Sequence, residues 1–286
     1  MESETISTGV VNGGKLRLAG VTFLVMVMAC STSFGLDFMG PPVSSIGQGR
    51  FSVGVDYSYS SMDLELSGGR WVDHLDGEFL DSGKALSLEL RDFEMNRAYA
   101  TLGFGLVDNL DAFIRLGVAD GRFGDSLWAE NEKFESNPEP AIGAGVRATF
   151  YENERFALGG LFQAGWARFD GRLDSPYWAS ADYVEVDIAE IQIALGTAVK
   201  LSDQVAIYGG PFFHFVDGSM DDEMNEADMD LGGLVNTRYS WDVKESSNFG
   251  GYMGASFNAN ENACFNIEYQ HTSDADAIGV SFAWRF

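Results

Sequence analysis

The chain has 286 residues, and 43 acidic against 18 basic side chains give it a formal charge of −25 at pH 7. Phosphate binding needs a clustered Lys/Arg surface, and the absence of any basic stretch excludes nucleic acid as a partner. Glycine is abundant at 34 residues and proline scarce at 6, while 13% aromatic content is too rich for a disordered chain.

The one long apolar run, Leu18 to Cys30, is too short to span ~30 Å of hydrocarbon as a helix. Lys15 and Arg17 precede it and small residues follow, the arrangement of a secretory signal peptide. Ser33-Phe34-Gly35 sets the expected cleavage after Gly35. Its removal would leave Cys264 as the lone cysteine, with no internal disulfide. A competing reading makes Cys30 a lipidated first residue, a pattern that Met28 fits poorly.

Beyond Gly47 no helical apolar stripe is found, and strict alternation dominates, as in strands with two unlike faces. Ten segments carry it: 50–63, 93–106, 110–119, 140–150, 155–169, 183–201, 204–216, 248–258, 262–272 and 276–286. In the first, Phe51, Val53, Val55, Tyr57 and Tyr59 alternate with Ser52, Gly54, Asp56, Ser58 and Ser60. In the sixth the apolar parity changes between Ile188 and Ile191, which predicts a bulge near Ala189. Connections after the even-numbered segments are short. Those after the odd-numbered ones are long and polar, except for a brief last one, Ser273 to Ala275.

The second face is small and carries isolated charges, five basic and four acidic: Asp56, Arg97, Asp111, Arg115, Arg147, Glu190, Lys200, Glu268 and Arg285. A soluble sandwich would carry Lys, Glu and Thr on its wet face instead. Small residues with mixed charges suit a narrow wet interior, and apolar faces suit lipid, which demands a closed sheet. The expected fold is an all-β, antiparallel, up-and-down transmembrane β-barrel of ten strands, with eight or twelve left open. The expected domains are a leader at 1–35, a periplasmic N-terminal segment at 36–48 and the barrel at 49–286.

The chain ends in FAWRF, closing the alternation Val280, Phe282, Trp284 and Phe286. With the leader and the alternating loop lengths, it resembles bacterial outer-membrane β-barrel proteins of the small OmpA-like or porin-like class. The resemblance implies that those four residues form the aromatic signal read by the barrel-assembly machinery. It implies location in the outer membrane and no particular activity, because such barrels serve as pores, adhesins, anchors and enzymes.

Candidate chemistry is sparse. The ten lumen candidates, with His214 as an inward hydrogen-bonded residue, suit internal ion pairs; nine interior glycines, Gly103 and Gly159 among them, would leave space. Asp217 to Asp230 reads as an extracellular loop with seven carboxylates and no base. Its spacing is not the EF-hand order, so a solvated loop is expected, with Asp221, Asp222, Glu223 and Asp228 as the candidates for a divalent cation. Omptin-like proteases use an Asp-x-His pair that this chain lacks. His271-Thr272-Ser273 resembles the His-x-Ser pair of outer-membrane lipid A deacylases, although Asp274 and Asp276 are expected in the turn, leaving His271 without an orienting carboxylate. Loop aromatics Trp71, Phe79, Trp128, Phe134, Tyr177, Trp178, Tyr239 and Trp241 read mainly as an interfacial girdle.

The expectation is a non-enzymatic surface barrel without cofactor, acting through acidic loops Leu66 to Asp92 and Asp217 to Ser247. Its partners would be outer-membrane lipid and lipopolysaccharide, the barrel-assembly machinery and divalent cations. A narrow channel is the alternative, and a lipid A-modifying enzyme at His271 and Ser273 the second.

Overall fold

The computed structural model describes residues 36–124, 133–174, 182–228, 232–245 and 247–286, with Asp182, Ala227 and Asp228 described by backbone alone. The expected leader with Cys30, and Trp128, Tyr177 and Trp178, lie outside the described residues. Thirteen strands follow in order: β1 (Phe51–Leu75), β2 (Glu78–Lys84), β3 (Leu88–Val107), β4 (Leu110–Gly124), β5 (Lys133–Ser136), β6 (Glu139–Glu152), β7 (Phe156–Asp174), β8 (Asp182–Lys200), β9 (Val205–Asp228), β10 (Gly233–Glu245), β11 (Phe249–Asn258), β12 (Ala263–Thr272) and β13 (Ala275–Arg285).

Ten of these form a closed antiparallel ring. Its order is β1, β3, β4, β6, β7, β8, β9, β11, β12 and β13, with β13 pairing back onto β1 from Ser52↔Arg285 to Met62↔Ala275. Closure removes sheet edges, so every ladder within the ring has a partner on both sides. The ten sequence segments fall on these ten strands.

The other three strands belong to a second storey. The β12–β13 hairpin ends at Thr272 and Ala275, whereas β1 and β9 run on to Leu75 and Asp228. Above the hairpin β1 therefore pairs directly with β10, from Leu64↔Glu245 to Leu75↔Val235. β2 returns along β1 through an Asp76-Gly77 turn with both residues at positive φ, the twist-matched two-residue hairpin. β5 continues β6 upward between β4 and β7. The long polar loops expected at Leu66 to Asp92 and Asp217 to Ser247 are thus largely paired strands.

Hydrophobicity inverts between the storeys while strand parity stays constant. Along β8 the inward residues are Val184, Val186 and Ile188, then Glu190 and Gln192; the outward Ile191, Ile193 and Leu195 are exposed. β8 pairs with β7 from Phe156↔Val199 to Leu173↔Asp182 without a shift, so the bulge expected near Ala189 does not exist. The apolar side changes because the surroundings change. In the lower storey the outward face meets hydrocarbon and the interior is polar and charged; in the upper storey the outside meets water and the interior is a packed apolar core.

That core contains Leu64, Leu66, Phe93, Phe134, Phe169 and Trp241, all buried, with Phe123 and Phe134 stacked at 4.7 Å. Each such side chain removed from water contributes roughly 1.5–3 kcal/mol. Phe134 and Trp241, expected at a lipid-interface girdle, are core residues instead. Trp241 lies across Gly69, where a Cβ would stand 2.5 Å from its indole nitrogen, and the neighbouring Gly68 sits at φ 66° beside a register shift in β1. The outward face here is charged, with Glu65, Glu89, Asp92 and Asp221 exposed.

Candidate functional site: a plugged lumen

Residues 36–48, expected as a periplasmic segment, begin inside the ring instead. Leu36 and Met39 are fully buried and Asp37, Phe38 and Ile46 nearly so. The segment descends to the rim opposite the second storey, where the Gly49 N–H donates to Gly105 O at 2.8 Å. An extended segment with no strand partner must satisfy its backbone through side chains, and the lumen charges do so.

Glu268 accepts from the amides of Met39 and Gly40, both at 2.9 Å, and from Gln270 Nε2 at 2.8 Å. Asp111 accepts from the amides of Ser45 at 2.6 Å and Ile46 at 3.1 Å, and from Ser44 Oγ at 3.0 Å. Arg115 donates to Phe38 O at 3.0 Å and pairs with Asp37 at 2.8 Å. Arg147 donates to Met39 O at 2.7 Å, Arg285 to Ser45 O at 3.0 Å, and Gln270 to Asp37 O at 2.8 Å. Charge-assisted bonds of this kind are about twice as strong as neutral ones.

The interior glycines give the plug its room. A Cβ on Gly159 would stand 2.5 Å from Pro42 O, and one on Gly103 would meet Ile46. The space these glycines were expected to leave is occupied by the chain itself. No periodicity marks residues 36–47, so the alternation that locates strands could not locate the plug. A run with buried-type residues at Leu36, Phe38 and Met39, directly after the expected leader, was the available signal.

The ten lumen candidates lie on the inward face. Arg97 and Glu190 form a buried ion pair, and His214 sits beneath the upper core with Glu190 at 3.7 Å and Glu245 at 2.8 Å. Glu245 and Asp37 are partners that the sequence reading missed. Asp56 accepts from Thr101 Oγ1 at 2.6 Å and lies 3.7 Å from Arg115. Lys200 pairs with Glu152 at 3.1 Å at the open rim. Val280, Phe282, Trp284 and Phe286 face outward at the closing seam between β13 and β1.

A closed ring, hydrocarbon-like outside and charged within, decides the class. This is the architecture of a bacterial outer-membrane β-barrel. No protein-family model matches the chain, and no curated protein matches it. Among solved structures it is similar to the outer membrane protease OmpT of Escherichia coli (11% identity, 88% of this chain and 99% of that one, TM-score 0.43). It is also similar to the outer membrane protein OprG of Pseudomonas aeruginosa (13%, 85% and 99%, 0.44). A third is the translocator domain of the autotransporter NalP of Neisseria meningitidis (10%, 95% and 95%, 0.41).

Of the remaining candidates, Asp221 and His271 lie on the barrel's outside and Asp222 faces inward. Asp217 to Asp228 is the upper part of β9, which puts the exposed Asp221 and the buried Asp222 on opposite faces. Among the described residues no three His, Cys, Asp or Glu converge on a metal position; the side chain of Asp228 is outside them. On β8, burial pushes the Glu185 carboxyl up against the pull of Arg168, with Asp170 and Asp187 adding to the rise. His271 is outward and exposed on β12. Asp276 is not in the turn but on β13 directly opposite, its Oδ1 2.7 Å from His271 Nδ1, so the orienting carboxylate thought missing is present.

Proposed function

We propose that the protein is a non-enzymatic outer-membrane barrel that presents a rigid, acidic β-storey to the cell exterior over a plugged lumen. The observation that carries this is the continuity of β1 and β9 through the membrane band into a strand-paired storey with its own apolar core. A presented surface gains from rigidity, since a binding face ordered in advance loses less entropy on contact. The plug and the core above it fill the path that a channel would need. The partners that fit are lipopolysaccharide and neighbouring surfaces, met through Glu65, Glu89, Asp92 and Asp221, with divalent cations bridging like charges. Export by a cleaved leader at 1–35 and recognition of the terminal aromatics by the assembly machinery belong to the same reading.

Single-channel recording of the refolded protein in a planar bilayer tests it, with folding verified by a heat-modifiable gel shift. Folded protein without discrete conductance steps is the expected result; steps shifted by Arg115→Gln or Arg147→Gln would replace this reading with a channel.

A second reading, a lipid-modifying enzyme, is favoured by the Asp276–His271 contact beside Ser273. Comparing lipid A acylation in cells bearing the wild type or His271→Ala tests it. Equal acylation retires it, and a change made only by the wild type overturns the non-enzymatic reading.

A further inference from the structure

The rim half of the lumen is not filled by the plug. Between the plug and the wall lies a cavity of about 330 Å³ that reaches the open rim at Lys200 and Glu152, at the low end of small-molecule sites. The charges around it do not pair off. Arg97 is matched by Glu190, Arg115 by Asp37 with Asp56 of the cavity wall 3.7 Å away, and Lys200 by Glu152. Asp111 stands directly across the β4–β6 ladder from Arg147, yet its oxygens are taken by the amides of Ser45 and Ile46. Glu268 is likewise taken by Met39 and Gly40.

Two guanidiniums that line the cavity, Arg147 and Arg285, have no salt-bridge partner among the described residues. Arg147 bonds only a carbonyl through Nη2, over the face of Phe113 at 4.5 Å, and its buried Nε has no acceptor. Arg285 bonds Ser45 O and, at 3.3 Å, Asn258 Oδ1. The buried Nε of Arg115, on the same wall, also lacks an acceptor. Planar forks with unused donors in a sheltered site select a carboxylate or phosphate.

We propose that this cavity binds a small solute bearing a carboxylate or phosphate, held by Arg147 and Arg285 and admitted from the periplasmic rim. Serine, threonine and asparagine groups on the wall, among them Ser52, Asn258 and Asn266, serve the rest of the solute. The site rests on the seated plug of the reading above, because Met39 and Ser45 set the pose of both guanidiniums. A barrel that conducts would overturn that reading and this one, whereas a silent barrel that binds no anion would overturn only this one.

Cys264 lines the same cavity and supplies the test. Full-length mature protein, refolded and checked by gel shift, is alkylated with iodoacetamide and followed by intact mass, with succinate or inorganic phosphate against sodium chloride of equal ionic strength. Titration calorimetry with the same two probes runs in parallel. Saturable binding and at least fivefold slower alkylation with one probe are expected, and the preferred probe distinguishes a carboxylate solute from a phosphate one. Affinity falls tenfold or more in Arg147→Gln and in Arg285→Gln, with partial rescue in Arg147→Lys. No binding and no protection in the folded wild type overturn the site, as does unchanged affinity in both Gln variants. If those variants do not fold, protection of wild-type Cys264 decides alone.

Discussion

The clamp that Glu268 places on the plug makes a quantitative prediction. Its two oxygens each accept one plug amide at 2.9 Å, from Met39 and Gly40. Bonds to a charged acceptor contribute about 1.5–3 kcal/mol each, and neutral ones about 0.5–1.5. Glu268→Gln keeps one neutral acceptor and turns an amide donor toward the second N–H, so the loss is about 1.5 kcal/mol at its least. A factor of ten corresponds to about 1.4 kcal/mol, so hydrogen exchange at the Met39 and Gly40 amides accelerates roughly tenfold or more. Ser45 and Ile46 answer to Asp111 and lie beyond Pro41 and Pro42, so their exchange stays within about threefold of wild type if the inner half opens by itself. The assay is amide exchange of refolded protein in micelles, read by peptide-resolved mass spectrometry after quench. Unaltered exchange at Met39 and Gly40 would refute Glu268 as the clamp, and equal acceleration at all four amides would refute two independent clamps.

Removing the partner of a buried charge costs more than removing a surface one. Arg97→Ala leaves Glu190 only His214 at 3.7 Å and lowers stability by about 3–5 kcal/mol, visible as a lower urea midpoint of the gel-shift transition. Phe134→Ala hollows the upper core at a cost of about 3–5 kcal/mol; an external protease then cuts the β4–β5 region while the ten-stranded ring still shows its heat-modifiable shift. Leu116→Arg, on the hydrocarbon-facing side of β4, costs about 2–4 kcal/mol. Glu65→Arg, at an outward position of the upper storey, stays within about 0.5 kcal/mol; an equal penalty at both sites, measured by urea titration, would contradict the inversion between storeys.

The wall of the barrel could be read from the chain alone, because a strand between two unlike media must alternate and every outward or inward side chain carries the signal. Ten crossing segments, the lumen charges from Asp56 to Arg285 and the aromatic seam at Phe282 and Trp284 all follow from that period of two. The same rule misled where the media exchanged sides: Val184 to Ile188 against Ile191 to Leu195 looked like a slipped strand, and only pairing with β7 established an unbroken register. Asp217 to Asp228 looked like a loop because acidic residues weaken strand propensity, but β8 and β10 on either side supply its hydrogen bonds. Asp76-Gly77 was a local hairpin signal that the charge of the flanking segment obscured. What fills the lumen was decided by tertiary structure alone. The plug has no repeating pattern, and its partners, Glu268 and Asp111, lie 228 and 65 residues away from Gly40 and Ile46 in the chain. Only closure of the ring brings those carboxylates to its amides, and with that placement neither Arg147 nor Arg285 has a salt-bridge partner among the described residues.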